Sequence, residues 1–110
     1  MDVVDWDRLN ELKSDIGEED FADVAMLFVS ELTEHLDRLT AAPDAASAED
    51  FHFLRGSAAN LGFLSLVKAC SIAESACISG QPVDLVGVRT AFDAAMAEVS
   101  PKMPELSAAA

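Results

Sequence analysis

From Glu18 to about Ala41 the apolar residues Phe21, Val24, Ala25, Phe28, Leu32, Leu36 and Leu39 recur at steps of three and four. On a helix that spacing collects them into one stripe, with Glu19, Asp23, Glu34 and Asp37 on the opposite, solvated face. His35 falls toward the edge of the stripe and is read as a boundary residue with no chemical task. A stripe this long has to be buried against other elements, and the rest of the chain supplies helical faces to cover it. Pro43 ends the segment, because proline disfavours a helical residue before it and has no N–H to donate.

Four further segments carry the same period. Asp7 to Ser14 predicts a short helix with Trp6, Leu9 and Leu12 toward the core and Gly17 just past its end. A helix capped by Asp44 or Ser47 runs to Leu61, where Gly62 can take the left-handed conformation that closes it. Phe63 to about Ser79 presents Phe63, Leu66, Cys70, Ala73 and Cys77, and Gly80-Gln81-Pro82 stops it. Asp84 caps the last, which presents Leu85, Val88, Phe92, Ala95 and Val99. Pro101 and Pro104 are expected to end the ordered part, and residues 107–110 to fray.

There is no period-two run, no Asn-Gly or Asp-Gly hairpin and no tyrosine. The expected fold is all-α: an antiparallel up-down four-helix bundle with a short additional N-terminal helix, residues 1–106 forming one domain. No internal repeat or Gly-rich phosphate loop is present, so the chain is not expected to use ATP by itself.

Composition removes whole classes of function. With 51% hydrophobic residues the chain can build a core and is no disordered tail. A formal charge of −13 argues against nucleic acid, whose affinity comes largely from basic side chains on phosphates, and against an anionic membrane surface. No apolar run approaches a bilayer span, and Met1-Asp2-Val3-Val4-Asp5 has no basic start or long apolar run, so the expected location is cytoplasmic. Cys70 and Cys77 fit that compartment: on one helix they lie about 10 Å apart along the axis, too far for a disulfide. They read as small core residues; a zinc site from Cys70, Cys77, His35 and His52 is possible by count but lacks close ligand spacing. No metal is therefore expected.

The chemistry is concentrated in Phe51-His52-Phe53-Leu54-Arg55-Gly56-Ser57-Ala58-Ala59-Asn60-Leu61-Gly62. On a helix Phe51, Leu54, Ala58 and Leu61 face the core, and His52 points away from them among Ala48, Gly56 and Ala59 with Arg55 one turn on. An exposed imidazole, ordinary pKa about 6.5, is largely neutral near pH 7 and able to act as a nucleophile. Gly56 inside a helix costs about 1 kcal/mol against alanine and has no cap to make, so its use there calls for a close approach by something else. Ser57 is expected to bond back to a carbonyl one turn earlier, and Asn60 either to bond loop backbone or to orient His52. From Phe51 through Ala73 there is no Asp or Glu, while Arg55 and Lys68 are basic; the acid is read as kept away from His52. Low charge in helices packed on both sides is the alternative explanation of that run.

The run from His52 to Gly62, with Leu66, Cys70 and Glu74 after it, resembles the signature of histidine-containing phosphotransfer (HPt) domains, His-x-x-Lys-Gly-Ser with a Gly six residues beyond the first. Arg55 stands where the family pattern has lysine, a planar fork in place of a compact point charge, and Phe51 where alanine is common. The resemblance implies a relay in which a receiver-domain aspartate phosphorylates the outer ring nitrogen of His52, which then passes the group to another receiver. It implies partners, namely response-regulator receivers and a hybrid or other histidine kinase, and no cofactor of the chain's own, the Mg²⁺ belonging to the receiver. Arg55 would pair with phosphoryl oxygens, and Gly56 would leave room for the partner. Phe53, Leu64 and Val67 are candidates for an apolar docking patch, with Ala59, Asn60 and Lys68 beside them. The alternatives are a phospho-accepting domain of chemotaxis-kinase type fed by an ATP-using kinase, and a non-catalytic helical adaptor. A monomer is the default.

Overall fold

The computed structural model describes residues 2–107. Among them every regular element is helical: α1 (Trp6–Ile16), α2 (Glu18–Ala41), a 3₁₀ turn (Pro43–Ala45), α3 (Ala48–Leu61), α4 (Leu64–Ser79), α5 (Leu85–Val99) and α6 (Pro104–Ser107). No helix in this range is long and apolar enough to cross a membrane.

Local chemistry sets the helix ends. The Asp5 carboxylate accepts from the Arg8 N–H at 3.1 Å, so α1 starts at Trp6 and runs to Ile16, longer at both ends than its apolar spacing predicts. Gly17, at φ 93°, separates α1 from α2, whose limits match the periodic segment. The stripe of α2 is turned slightly from the predicted one. Val29 and His35 are buried with Phe21, Ala25, Leu32, Leu36 and Leu39, while Val24 and Phe28 are half-buried on its flank. Steps of three and four leave such a rotation open, because both sets satisfy them.

α3 begins after Ser47, whose backbone N–H donates to the Asp50 carboxylate at 2.8 Å in a capping box. It closes on Gly62 at φ 71°, ψ 25°, with the Phe63 N–H bonded to the Ala58 carbonyl at 2.9 Å. Phe63 precedes α4 and is buried. The turn folds α3 and α4 against each other as the most closely packed helix pair among the described residues. The N-terminal segment seals this turn: Asp5 N–H donates to the Gly62 carbonyl at 2.7 Å and Ser65 N–H to the Val3 carbonyl at 3.3 Å. Asp84 caps α5 by accepting from the Gly87 N–H.

The ordered part does not end at Pro101 and Pro104. Pro104 opens α6, and Met103 and Leu106 are buried where α6 packs against α2 and α5. Proline is well suited to the first helical position, where its missing N–H has no intrahelical partner to lose. Of the tail expected to fray, Ser107 is the last residue of α6 and residues 108–110 lie outside the described range.

Candidate functional site

α3 places His52 one and a half turns past its cap, with Phe51 and Leu54 fully buried beneath it. The imidazole is 68% exposed. Along the same face lie Gly56, Ala59 and Asn60, all exposed, and a Cβ built on Gly56 would meet no heavy atom within 4 Å.

The inner ring nitrogen of His52 is engaged from two sides. Arg55, one turn on, brings Nη2 to 2.8 Å of Nδ1. Glu74, from α4, brings Oε2 to 3.2 Å of the same atom, and its Oε1 lies 3.3 Å from Arg55 Nη2. Glu74 is 19% exposed, Arg55 35%. Imidazole, guanidinium and carboxylate therefore form a closed triangle at the α3–α4 seam, and Nε2 faces outward with no partner among the described residues.

This corrects the reading that acid is kept away from His52. The run from Phe51 to Ala73 holds no carboxylate, yet the next residue, Glu74, folds back onto the imidazole. Low charge along the helix does not determine what the facing helix delivers. Glu74 lies 12 residues beyond Gly62 and His52 10 before it, a near symmetry that becomes a contact only once the hairpin's register is known.

Below the triangle sits Cys70. Burial, opposed by Arg55 and reinforced by Glu74, pushes its thiol up to about 12. A thiol so hard to ionise is a core filler and a poor nucleophile or metal ligand. The four residues counted for zinc are not brought together: His35 lies against Asp50 and His52 against Arg55 and Glu74, and among the described residues no group of three or more ligand side chains converges.

His35 is buried, not at a boundary. Its Nε2–H donates to the Asp50 carboxylate at 2.9 Å, and its ring stacks on Phe53 with centroids 5.1 Å apart. Asp50 thus ties α2 to the cap of the helix that carries His52. Burial alone would raise its pKa, but hydrogen bonds from His35 and Ser47 and the His35 charge outweigh burial and hold the carboxyl below its ordinary 3.8.

The remaining candidates are scattered. Phe53 is 46% exposed beside His52. Val67 is half-buried against the core and Lys68 is exposed on α4. Leu64 opens α4, roughly 15 Å along the axis from Glu74 at 1.5 Å per residue, and lines a cavity with Val4, Trp6 and Glu98 instead. Ser57 is buried but makes no bond to a carbonyl one turn back, unlike Thr33, Thr40, Ser79 and Ser100, and Asn60 makes neither of its expected bonds.

The site is thus an exposed histidine beside a cation and a carboxylate, on a helical hairpin whose outer face carries small residues. A family model for the Hpt domain matches residues 23–101, and the chain belongs to that family, with a phosphotransfer role in phosphorelays at family level. Comparison with curated proteins and with solved structures returned no match.

Proposed function

We propose that His52 accepts a phosphoryl group on Nε2 from the aspartyl phosphate of a receiver domain and passes it to the aspartate of another receiver. The observation that carries this reading is the asymmetry of the ring: Nδ1 is enclosed by Arg55 and Glu74, and Nε2 is presented to solvent. In the forward step the Nε2 lone pair forms the N–P bond as the aspartyl O–P bond breaks. The carboxylate leaves with its electron pair, and the imidazole becomes a phospho-imidazolium that keeps its proton on Nδ1. Glu74 is placed to accept that Nδ1–H, which stabilises the positive ring. Arg55, once released from Nδ1, would pair with phosphoryl oxygens, and Gly56 would let the receiver's aspartate reach Nε2.

The scaffold we assign is an antiparallel up-down bundle of α2 to α5, supported by the packing of α2 on α3, α3 on α4, α4 on α5 and α5 on α2. The partners are response-regulator receivers and a hybrid or other histidine kinase. Mg²⁺ enters with the receiver, and the protein works as a cytoplasmic monomer. Phe53, Ala59, Asn60, Val67 and Lys68 would meet the receiver's rim; Leu64 would do so only if the contact extended to the Gly62 turn.

The test is transfer of label from a phosphorylated receiver, with Mg²⁺ present, to wild type and to His52→Gln. Acid-labile, base-stable label on wild type alone is the expected result. Label from a kinase domain with ATP, and from no receiver, would assign the chain to the kinase-fed class. No label from either source would leave an adaptor.

A further inference from the structure

We infer that Arg55 holds His52 in the tautomer that cannot attack, and that Glu74 holds the one that can. The inference rests on His52 being the phosphoryl acceptor and concerns how that acceptor is kept at rest. Guanidinium is a donor only and does not deprotonate in proteins, so at 2.8 Å Arg55 Nη2 donates to Nδ1. A neutral imidazole has one lone pair in its plane at the unprotonated nitrogen. If Nδ1 spends that lone pair on Arg55, the ring proton is on Nε2, and Nε2 then has no lone pair to give.

The same atom cannot serve both neighbours. Glu74 Oε2, 3.2 Å from Nδ1, accepts a hydrogen bond only from Nδ1–H, which excludes the bond from Arg55. While Arg55 is in place, Glu74 is held to the triangle through Arg55 Nη2, 3.3 Å from its Oε1. The triangle therefore has two exclusive states. In the resting state Arg55 donates to Nδ1 and the proton sits on Nε2. In the competent state Arg55 has left, Nδ1–H donates to Glu74, and Nε2 carries the lone pair.

Passing between them changes no net charge: Nε2–H gives its proton to water and Nδ1 takes one from water. Arg55 is the mobile member, a partly exposed side chain on a long stem, whereas Glu74 is mostly enclosed. A phosphoryl group arriving at Nε2 presents oxygens that guanidinium pairs with in its fork geometry, and these compete with Nδ1 for Arg55.

The tautomer is read directly from the ¹⁵N shifts of the His52 ring in the full chain at about pH 9, where an ordinary imidazole is neutral. In wild type the Nε2–H form is expected to exceed Nδ1–H by about tenfold, the ratio that a hydrogen bond from a charged group supplies. In Arg55→Met, which keeps the stem and removes the donors, the ratio is expected to invert in favour of Nδ1–H. Adding Glu74→Leu to Arg55→Met is expected to abolish that inversion. A wild-type ring already in the Nδ1–H form, or an Arg55→Met ratio within about twofold of wild type, would overturn the role given to Arg55. Inversion that survives the loss of Glu74 would overturn the role given to Glu74. No partner or phosphoryl group takes part, so failure here leaves the acceptor reading intact, and absence of label transfer to His52 sinks that reading separately.

Discussion

At Gly56 the helix carries a residue that its own packing does not require. A Cβ there would meet nothing within 4 Å, so replacing the glycine relieves a helix-interior cost of about 1 kcal/mol without creating a clash. We therefore expect Gly56→Ala to raise stability by up to about 1 kcal/mol in urea unfolding. Gly56→Leu is expected to keep the wild-type circular dichroism and lose receiver-dependent label transfer; undiminished transfer would remove the docking role. Cys70 gives a second prediction at this scale. With its thiol near 12, alkylation at about pH 8 should be confined to Cys77 in the folded protein and reach Cys70 only on unfolding, as mass spectrometry would count. Helical spacing alone puts His52, Gly56, Ala59 and Asn60 on one outer face, so this side of the site was legible in the sequence. Glu74 was not legible as a neighbour, because its contact with His52 depends on the register of a hairpin that no local period contains.

Two elements set that register: the Gly62 turn and the capped start of α3. Gly62 is at φ 71°, and a Cβ there would lie 2.6 Å from the Asp5 carbonyl oxygen, a backbone atom held by its own segment's contact with the turn. Gly62→Ala combines a left-handed penalty of about 1–2 kcal/mol with displacement of the N-terminal segment. A loss of roughly 2–3 kcal/mol, or about 10–15 °C in Tm, is expected by calorimetry. At the other end of α3, the Asp50 carboxyl titrates lower in the folded chain than in the unfolded one. Its contribution is complete above the unfolded value near 3.8 and is lost as pH falls through the lower folded value. Asp50→Asn should therefore cost about 1 kcal/mol at neutral pH, and its difference from wild type should shrink below about pH 4 in a series of urea titrations. The caps, the helix limits and the Gly62 turn were readable from residue types. The His35–Asp50 bond was not, since a histidine near the edge of a stripe turns inward or outward according to a small rotation of the helix, and the rotation seen here also buries Val29.

Over the whole molecule, charge is unevenly spread. Most of the carboxylates behind the net charge of −13 fall in residues 1–50, and Asp7, Glu11, Asp15, Glu18, Glu19, Asp20 and Asp23 are all exposed along α1 and the start of α2. From His52 to Leu61 α3 carries no carboxylate of its own, its nearest exposed acid being Glu49 one turn before His52, while α4 brings the partly enclosed Glu74 and the exposed Lys68. The chain's total was plain from composition; its arrangement required the hairpin that sets α3 and α4 against each other and the α6 turn, anchored by the buried Leu106, that two prolines concealed. Like charges so close along α1 and α2 repel one another in the folded state more than in an expanded chain, and that repulsion is screened by salt. Raising ionic strength from about 0.01 M to about 0.15 M shortens the Debye length from about 30 Å to about 8 Å, so Tm is expected to rise with added NaCl over that range. The rise should be equal in wild type and His52→Gln, because the responsible charges lie away from the triangle. It should be smaller in a Glu19→Gln/Asp20→Asn/Asp23→Asn variant, and a Tm that is flat or falls with salt in wild type would show that ion pairs such as Arg89 with Asp37, 2.7 Å apart, outweigh the acidic face.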